Sequence, residues 1–279
     1  MTTLLTQPVP PVRPTAPAHR SYVLADAVTM TRRTLLHMVR YPGLSAFTIG
    51  GPVVVLLLSV FVFGGTLGAG LPGSDGGRAA YLAYVMPGVL ALTVAGTAGG
   101  TAITVATDMT EGVTARLRTM AISRAAVLVG HVVGNTLQAV IAVTLVLGVG
   151  VLIGFRPQAG PAQWALLLGV VLLVGLAVSW IGVGMGMQAR TVETASNLPL
   201  LLTFLPLLGS GFVPTGSLPT VLRGFAEHQP FTPIIETWRA LLLDRPPGQD
   251  LLLALAWSVG IALVGLLWAT RLYERRSVR

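Results

Sequence analysis

Long apolar windows alternate with short polar segments along most of the chain. Each window contains about 20 predominantly apolar residues, the length that a helix needs to cross a bilayer. Six windows of this kind lie at 44–68, within 79–107, within 125–155, within 164–189, within 194–213 and at 251–270. The pattern predicts an all-α integral membrane protein with six transmembrane helices.

The most charged stretch in the middle of the chain separates the second and third windows. It covers residues 108–124 and carries Asp108, Glu111, Arg116, Arg118 and Arg124. Asp108 and Glu111 have the three-residue spacing of a capping box, which would place both carboxylates near the positive end of a helix. Leu117 belongs to an apolar stripe with Val113 and Met120. The segment is predicted to be a short helix held in water between two membrane helices.

The chain before the first window divides into two parts. Residues 1–20 are rich in proline and are predicted to form a disordered tail. Residues 21–42 have helical periodicity, with an apolar face and the arginines Arg32, Arg33 and Arg40. Such a helix before a membrane span favours a position in the headgroup plane. The alternative is an ordinary solvated helix packed on a partner protein.

The segment between the fifth and sixth windows, at 214–249, mixes prolines and charges with apolar residues. The helical stretch that follows Pro230 is too short to span, so short interfacial or re-entrant helices are predicted before the last span. Glu236 and Arg239 lie three residues apart on one helical face and are expected to pair. Spacing alone predicts that reversing either charge impairs assembly and that the double swap partly restores it.

The arginines are distributed unevenly across the predicted topology. Six spans place 13 of the 18 basic residues on the side of the amino terminus. By the positive-inside rule, both termini, the 108–124 helix and the basic tail at 272–279 are cytoplasmic. The segment after residue 213 is then external. A missed crossing at the fifth window would move the carboxyl terminus to the other side.

Composition excludes several classes of function. Hydrophobic residues make up 53% of the chain and charged residues 10%, against roughly 25% charged residues in soluble domains. The net charge of +8 follows the positive-inside pattern, so no nucleic-acid partner is expected. The chain has no cysteine and no lysine, which excludes disulfides and a P-loop. Any nucleotide must therefore be bound by another chain.

The apolar windows hold little ionisable chemistry. No Asp, Glu or Arg lies well within a window, which disfavours an ion-coupled carrier. His131, at the edge of the third window, is expected to be a packed or interface-facing imidazole, and the alternative is a functional role. The histidines are too scattered for a metal site, and no nucleophile–base arrangement is visible. We predict no catalytic residue and no metal ligand, and the sequence does not identify substrate-binding residues.

Two stretches resemble the ABC-2 type permeases, and within them the daunorubicin-resistance-like exporters of drugs and lipids. The first is Asp108-x-x-Glu111-Gly112-x-x-x-Arg116-Leu117-Arg118, followed by Ile122-Ser123-Arg124. The second runs from Phe204 to Pro214 and continues with Leu218-Pro219, Gln229-Pro230 and Glu236-x-x-Arg239. The order and spacing of these stretches, rather than a unique motif, carry the resemblance.

The resemblance implies that residues 43–271 form the six-span domain of an ATP-driven exporter in a bacterial plasma membrane. The chain would pair with itself or with a relative, surrounded by membrane lipids. Two copies of a separate ATPase subunit would bind ATP and magnesium. The coupling residues would be Asp108, Glu111, Gly112, Arg116, Leu117, Arg118 and Arg124, with helix 21–42 bracing them. A hydrophobic or amphipathic substrate, drug-like or lipid, is expected; the alternatives are a secondary transporter and a non-transporting scaffold.

Overall fold

A computed structural model describes residues 42–71, 76–110 and 124–277 of the chain. All regular elements of these residues are helical. Several sequence predictions lie outside the described residues. They are the amino-terminal tail, most of the interfacial helix with Arg32, Arg33 and Arg40, and the middle of the coupling segment with Glu111, Gly112, Arg116, Leu117 and Arg118.

Five helical stretches of the described residues are long and apolar enough to cross a membrane. The first consists of α1 (Pro42–Leu58), a π-helical turn (Ser59–Phe63) and α2 (Gly64–Ala69). The others are α3 (Gly77–Thr110), α4 (Arg124–Leu152), α5 (Pro161–Gln188) and the last helix, Gly248–Ser277. These agree with five of the six predicted windows. The last helix also includes most of the residues predicted to form a basic tail.

The predicted fifth span is not one continuous helix. It is divided into α6 (Val192–Asn197), α7 (Leu200–Phe204) and a 3₁₀ turn (Leu205–Leu208). Pro199 and Pro206 lie at the breaks, where proline has no amide hydrogen to donate to the preceding turn. A sixth transmembrane helix is therefore not confirmed.

This broken segment nevertheless follows α3 in the opposite direction along most of its length. Ala195 packs with Ala102 and Ala106, near the carboxyl end of α3. At the other end, the Tyr84 hydroxyl donates a hydrogen bond to the Ser210 carbonyl over 2.9 Å. The Tyr81 hydroxyl does the same to the carbonyl of Phe212, over 3.2 Å.

Helix α3 is the centre of the bundle and is buried along most of its length. Small residues allow α5 to approach it closely. A methyl group on Gly186 would lie 2.5 Å from the carbonyl oxygen of Ala102, and one on Gly182 would lie 2.9 Å from that of Ala98. Membrane helices associate through such close contacts because lipid offers no hydrophobic drive between them.

Two short helices, α8 (Thr220–His228) and α9 (Phe231–Leu242), precede the last helix, α10 (Gly248–Ser277). α9 agrees with the helical stretch predicted after Pro230, and the interfacial or re-entrant placement of the two helices is not confirmed. α9 is buried on several sides, and Ile235, Trp238 and Leu242 are fully enclosed in the main core cluster. The amide of Gln158, in the connection between α4 and α5, donates to the Leu242 carbonyl over 2.8 Å. α9 is therefore part of the bundle and not a surface appendage.

Candidate functional site

Asp108 does not begin the predicted water-facing helix. It lies in the last turns of α3, which continues to Thr110, and only 7% of the residue is exposed. The polar residues before it do not end the helix, because the hydroxyls of Thr104 and Thr107 bond back to carbonyls four residues earlier. The capping interpretation of Asp108 is therefore wrong.

The carboxylate of Asp108 faces His131 of α4. The Oδ2 and Nε2 atoms are 3.3 Å apart, and each side chain is 11% exposed. The packed imidazole expected from the sequence is present, but its carboxylate partner was not foreseen. A carboxylate near the carboxyl end of a helix is opposed by the helix dipole, so the histidine offsets an unfavourable position.

The Asp108–His131 contact joins the two helices that precede and follow the segment at 111–123. α3 ends at Thr110, and α4 begins at Arg124. The side chain of Arg124 lies outside the described residues. Asp108 is thus the one predicted coupling residue whose side chain the structure locates.

A second polar cluster lies deeper in the bundle, where α3, α4 and α5 meet. The Asn135 side-chain amide donates to the Ser179 hydroxyl over 2.7 Å and to the Thr97 hydroxyl over 3.4 Å. Both hydroxyls use their own hydrogens on backbone carbonyls of their helices, which leaves them free to accept. Among the described residues, Asn135 Oδ1 has no hydrogen-bond partner although it is buried.

Sequence reasoning missed this cluster. Its members are single polar residues inside apolar windows, which have no pattern of their own. One signal was available: Asn135 follows His131 by four residues, which places both side chains on one face of α4. A search for polar residues at helical spacing would have found this polar face.

Arg239 of α9 is the centre of a third site. The guanidinium contacts the carboxylate of Glu236, so the ion pair expected from the spacing is present. Nη2 also donates to the carbonyls of Ser210 over 2.7 Å and Tyr84 over 3.1 Å. The guanidinium lies over the Tyr84 ring, 4.1 Å from its centroid, in an arrangement that suits cation–π attraction.

These contacts bind three segments together near Pro87 and Gly88, through which α3 continues as a helix. A methyl group on Gly88 would lie 2.5 Å from the Cα atom of Gly211, so the two backbones touch. Pro230 is the residue before α9. Arg239 of α9 therefore joins α3 to the residues that directly follow the broken segment.

An apolar cavity of about 450 Å³ opens beside these contacts. Its walls come from α2, the first turns of α3 and the chain after the broken segment. They include Leu67, Leu71, Tyr81, Phe212, Val213 and Pro214. The volume lies in the range of small-molecule sites, roughly 300–1,000 Å³.

The fold and these contacts define a class first: a multi-pass helical membrane protein with a short buried helix, α9, before its last span. The model of the ABC-2 type transporter family matches residues 26–243. The chain therefore belongs to the ABC-2 type transporter family and is the membrane subunit of an ABC transporter. Membership in this family implies an ABC ATPase as partner.

Relatives extend the match over most of the chain. A daunorubicin resistance ABC transporter permease of Streptomyces coeruleorubidus is 25% identical over 260 residues, 92% of this chain and 89% of the relative. A probable doxorubicin resistance ABC transporter permease of Mycobacterium tuberculosis (strain H37Rv) is 25% identical over 245 residues. That alignment covers 86% of this chain and 85% of the relative.

Proposed function

We propose that this chain is the permease of an exporter that moves a hydrophobic or amphipathic compound, drug-like or lipid, outward across a bacterial plasma membrane. The observation that carries the proposal is the alignment with two drug-resistance permeases over more than four-fifths of the chain. The apolar cavity beside Tyr81 and Phe212 suits a substrate with a large apolar part.

The energy comes from a separate ATPase subunit that binds ATP and magnesium. The absence of lysine in this chain supports this division, because a P-loop needs a lysine to reach the nucleotide phosphates. Two ATPase copies would serve two permeases, which are either identical or related. The permease contacts the ATPase through residues 108–124, where Glu111, Arg116, Arg118 and Arg124 supply the charged contacts.

The broken segment provides the sixth crossing in this proposal. Together with the residues up to Phe212, it runs beside α3 from Ala106 to Tyr81. This part of α3 rises by 25 residues, or about 38 Å. That length exceeds the hydrocarbon core of roughly 30 Å. Both termini are then cytoplasmic, α8 and α9 lie at the external side, and the arginine distribution satisfies the positive-inside rule.

The coupling role is tested by replacing charges between α3 and α4. Glu111→Ala combined with Arg118→Glu should abolish ATP-driven uptake of daunorubicin into inverted membrane vesicles that contain the chain and its ATPase. Membrane insertion should be unchanged, because both residues lie between spans. ATP can favour one access state only through contacts that differ between the two states.

The matched control removes a charged pair elsewhere. Arg223 and Glu227 are exposed partners on α8, with Nε and Oε1 2.8 Å apart, and Arg223→Ala with Glu227→Ala should leave uptake unchanged. Normal uptake by a well-inserted Glu111→Ala, Arg118→Glu variant would show that these two residues have no part in the mechanism. Uptake that requires an ion gradient and proceeds without the ATPase would identify a secondary transporter instead.

A further inference from the structure

Two ionisable side chains meet where α3 and α4 approach the segment at 111–123. Asp108 and His131 are both largely buried and face each other across the helix interface. Buried ionisable residues in membrane proteins are costly and are usually associated with function. The position of this pair, rather than its mere presence, suggests what it does.

Stability alone does not explain the pair. Replacing a buried ion pair with apolar residues of similar volume is often neutral or stabilising. The neighbouring contacts in this part of the bundle are apolar, with Val105, Leu128 and Val132 in one cluster. Apolar surfaces are non-directional, and they permit small displacements of one helix along another. A directional contact at 3.3 Å opposes such a displacement.

The seam between α3 and α4 has a second polar contact, from Asn135 to Thr97, at 3.4 Å. Asn135 and His131 are one helical turn apart on α4. The two contacts therefore hold the register of α3 against α4, one between Asn135 and Thr97 and the other beside residues 111–123. A force applied to residues 111–123 reaches the Asp108–His131 contact first.

We propose that Asp108 and His131 are a positioning pair that makes the ends of α3 and α4 next to residues 111–123 move as one unit. This inference rests on the proposed function, in which the ATPase contacts that segment. With the pair intact, displacement of the segment carries both helices and reaches their external ends. Without it, the two helix ends move independently and the displacement is absorbed locally.

The test separates this role from a purely structural one. The chain has no cysteine, so Leu152→Cys and Leu252→Cys give unique spin-label sites, both largely exposed, at the end of α4 and the start of α10. Their distance is measured by double electron–electron resonance in the complex with the ATPase, with and without ATP and vanadate. The readout needs no transport substrate.

Four forms of the complex are compared: the parent chain, Asp108→Leu with His131→Leu, the swap Asp108→His with His131→Asp, and Glu111→Ala with Arg118→Glu. We expect the nucleotide-dependent distance change in the parent and its loss in the double leucine variant. That variant should unfold at a temperature no lower than the parent, as is often found when apolar residues replace a buried ion pair. The swap should recover at least half of the distance change.

A double leucine variant that keeps the full distance change would overturn the proposal, because an apolar contact would then serve equally well. Failure of the swap to recover any change would also count against an ionic contact. If the distance change is lost in the Glu111→Ala, Arg118→Glu variant but retained in the double leucine variant, the positioning pair is refuted and the coupling proposal is not. No nucleotide-dependent change in the parent complex would refute the coupling proposal and this inference with it.

Discussion

Arg239 shows how one side chain can organise a membrane domain. Its planar guanidinium has five donors, and the structure uses them on one carboxylate and on two carbonyls from distant segments. The i, i+3 spacing with Glu236 was readable in the sequence. The carbonyls of Tyr84 and Ser210 were not, because backbone acceptors carry no residue signature.

These carbonyls change the expected result of the charge swap. Arg239→Glu places a carboxylate against carbonyl oxygens, and the Glu236→Arg partner cannot replace the lost donors. We expect the free energy of unfolding to fall by about 3–5 kcal/mol in the single variant, as for a buried charge left uncompensated. The double swap should show no recovery. Both are measured by thermal unfolding in detergent.

Arg239→Lys is the conservative comparison. Lysine keeps the charge but cannot serve a carboxylate and two carbonyls in one plane, so we expect a loss of about 1–3 kcal/mol. Arg223→Lys, on the exposed face of α8, should change stability by less than about 0.5 kcal/mol. Recovery of stability in the double swap would mean that the ion pair with Glu236 outweighs the carbonyl contacts.

At the scale of elements, hydrophobic windows located the continuous helices well. α4 and α5 begin and end within a few residues of their predicted windows, because an apolar run flanked by charges or prolines favours a helix wherever it lies. The prediction of a continuous helix in the fifth window failed for a local reason. Pro199 and Pro206 lie in this window, and apolar content does not reveal that proline lacks the backbone N–H that a helix needs.

Contact between α3 and α5 depends on glycines that leave no room for a side chain. Gly186→Ala should lower the free energy of unfolding by about 1–3 kcal/mol, because the added methyl group would lie 2.5 Å from the Ala102 carbonyl oxygen. Gly169→Ala, in the same helix, is the matched control. Nothing lies within 4 Å of a methyl group there, and helix propensity favours alanine by up to about 1 kcal/mol.

Both glycine variants are compared by thermal unfolding of the purified chain. Equal melting temperatures would show that α3 and α5 can separate without cost, which would contradict the packing of Gly186. A lower melting temperature for both would indicate a general intolerance of α5 to larger residues rather than a specific contact.

At the scale of the whole molecule, the broken segment decides the topology. If it crosses, the external side carries α8 and the cytoplasmic side carries the end of α10. Val221→Cys, at a residue that is 87% exposed, should react with a membrane-impermeant maleimide in intact cells. Arg271→Cys should react only after lysis. The parent chain has no cysteine, so each variant has a single thiol to label.

The same experiment can fail in an informative way. Labelling of Arg271→Cys from outside would overturn this orientation. Ala269 and Tyr273, near the end of α10, pack in one cluster with Val105 and Leu128, so the segment at 111–123 would then be external as well and could not meet a cytoplasmic ATPase.

Local patterns along the chain were sufficient for the membrane class, the continuous helices, the lack of a nucleotide-binding loop and the pairing of Glu236 with Arg239. Each depends on residues within one element, where helical geometry sets the spacing. The pairing of Asp108 with His131, the carbonyls that bind Arg239 and the path of the broken segment beside α3 came from packing. They join residues 23 to 155 positions apart, and such contacts depend on which helix faces lie against each other.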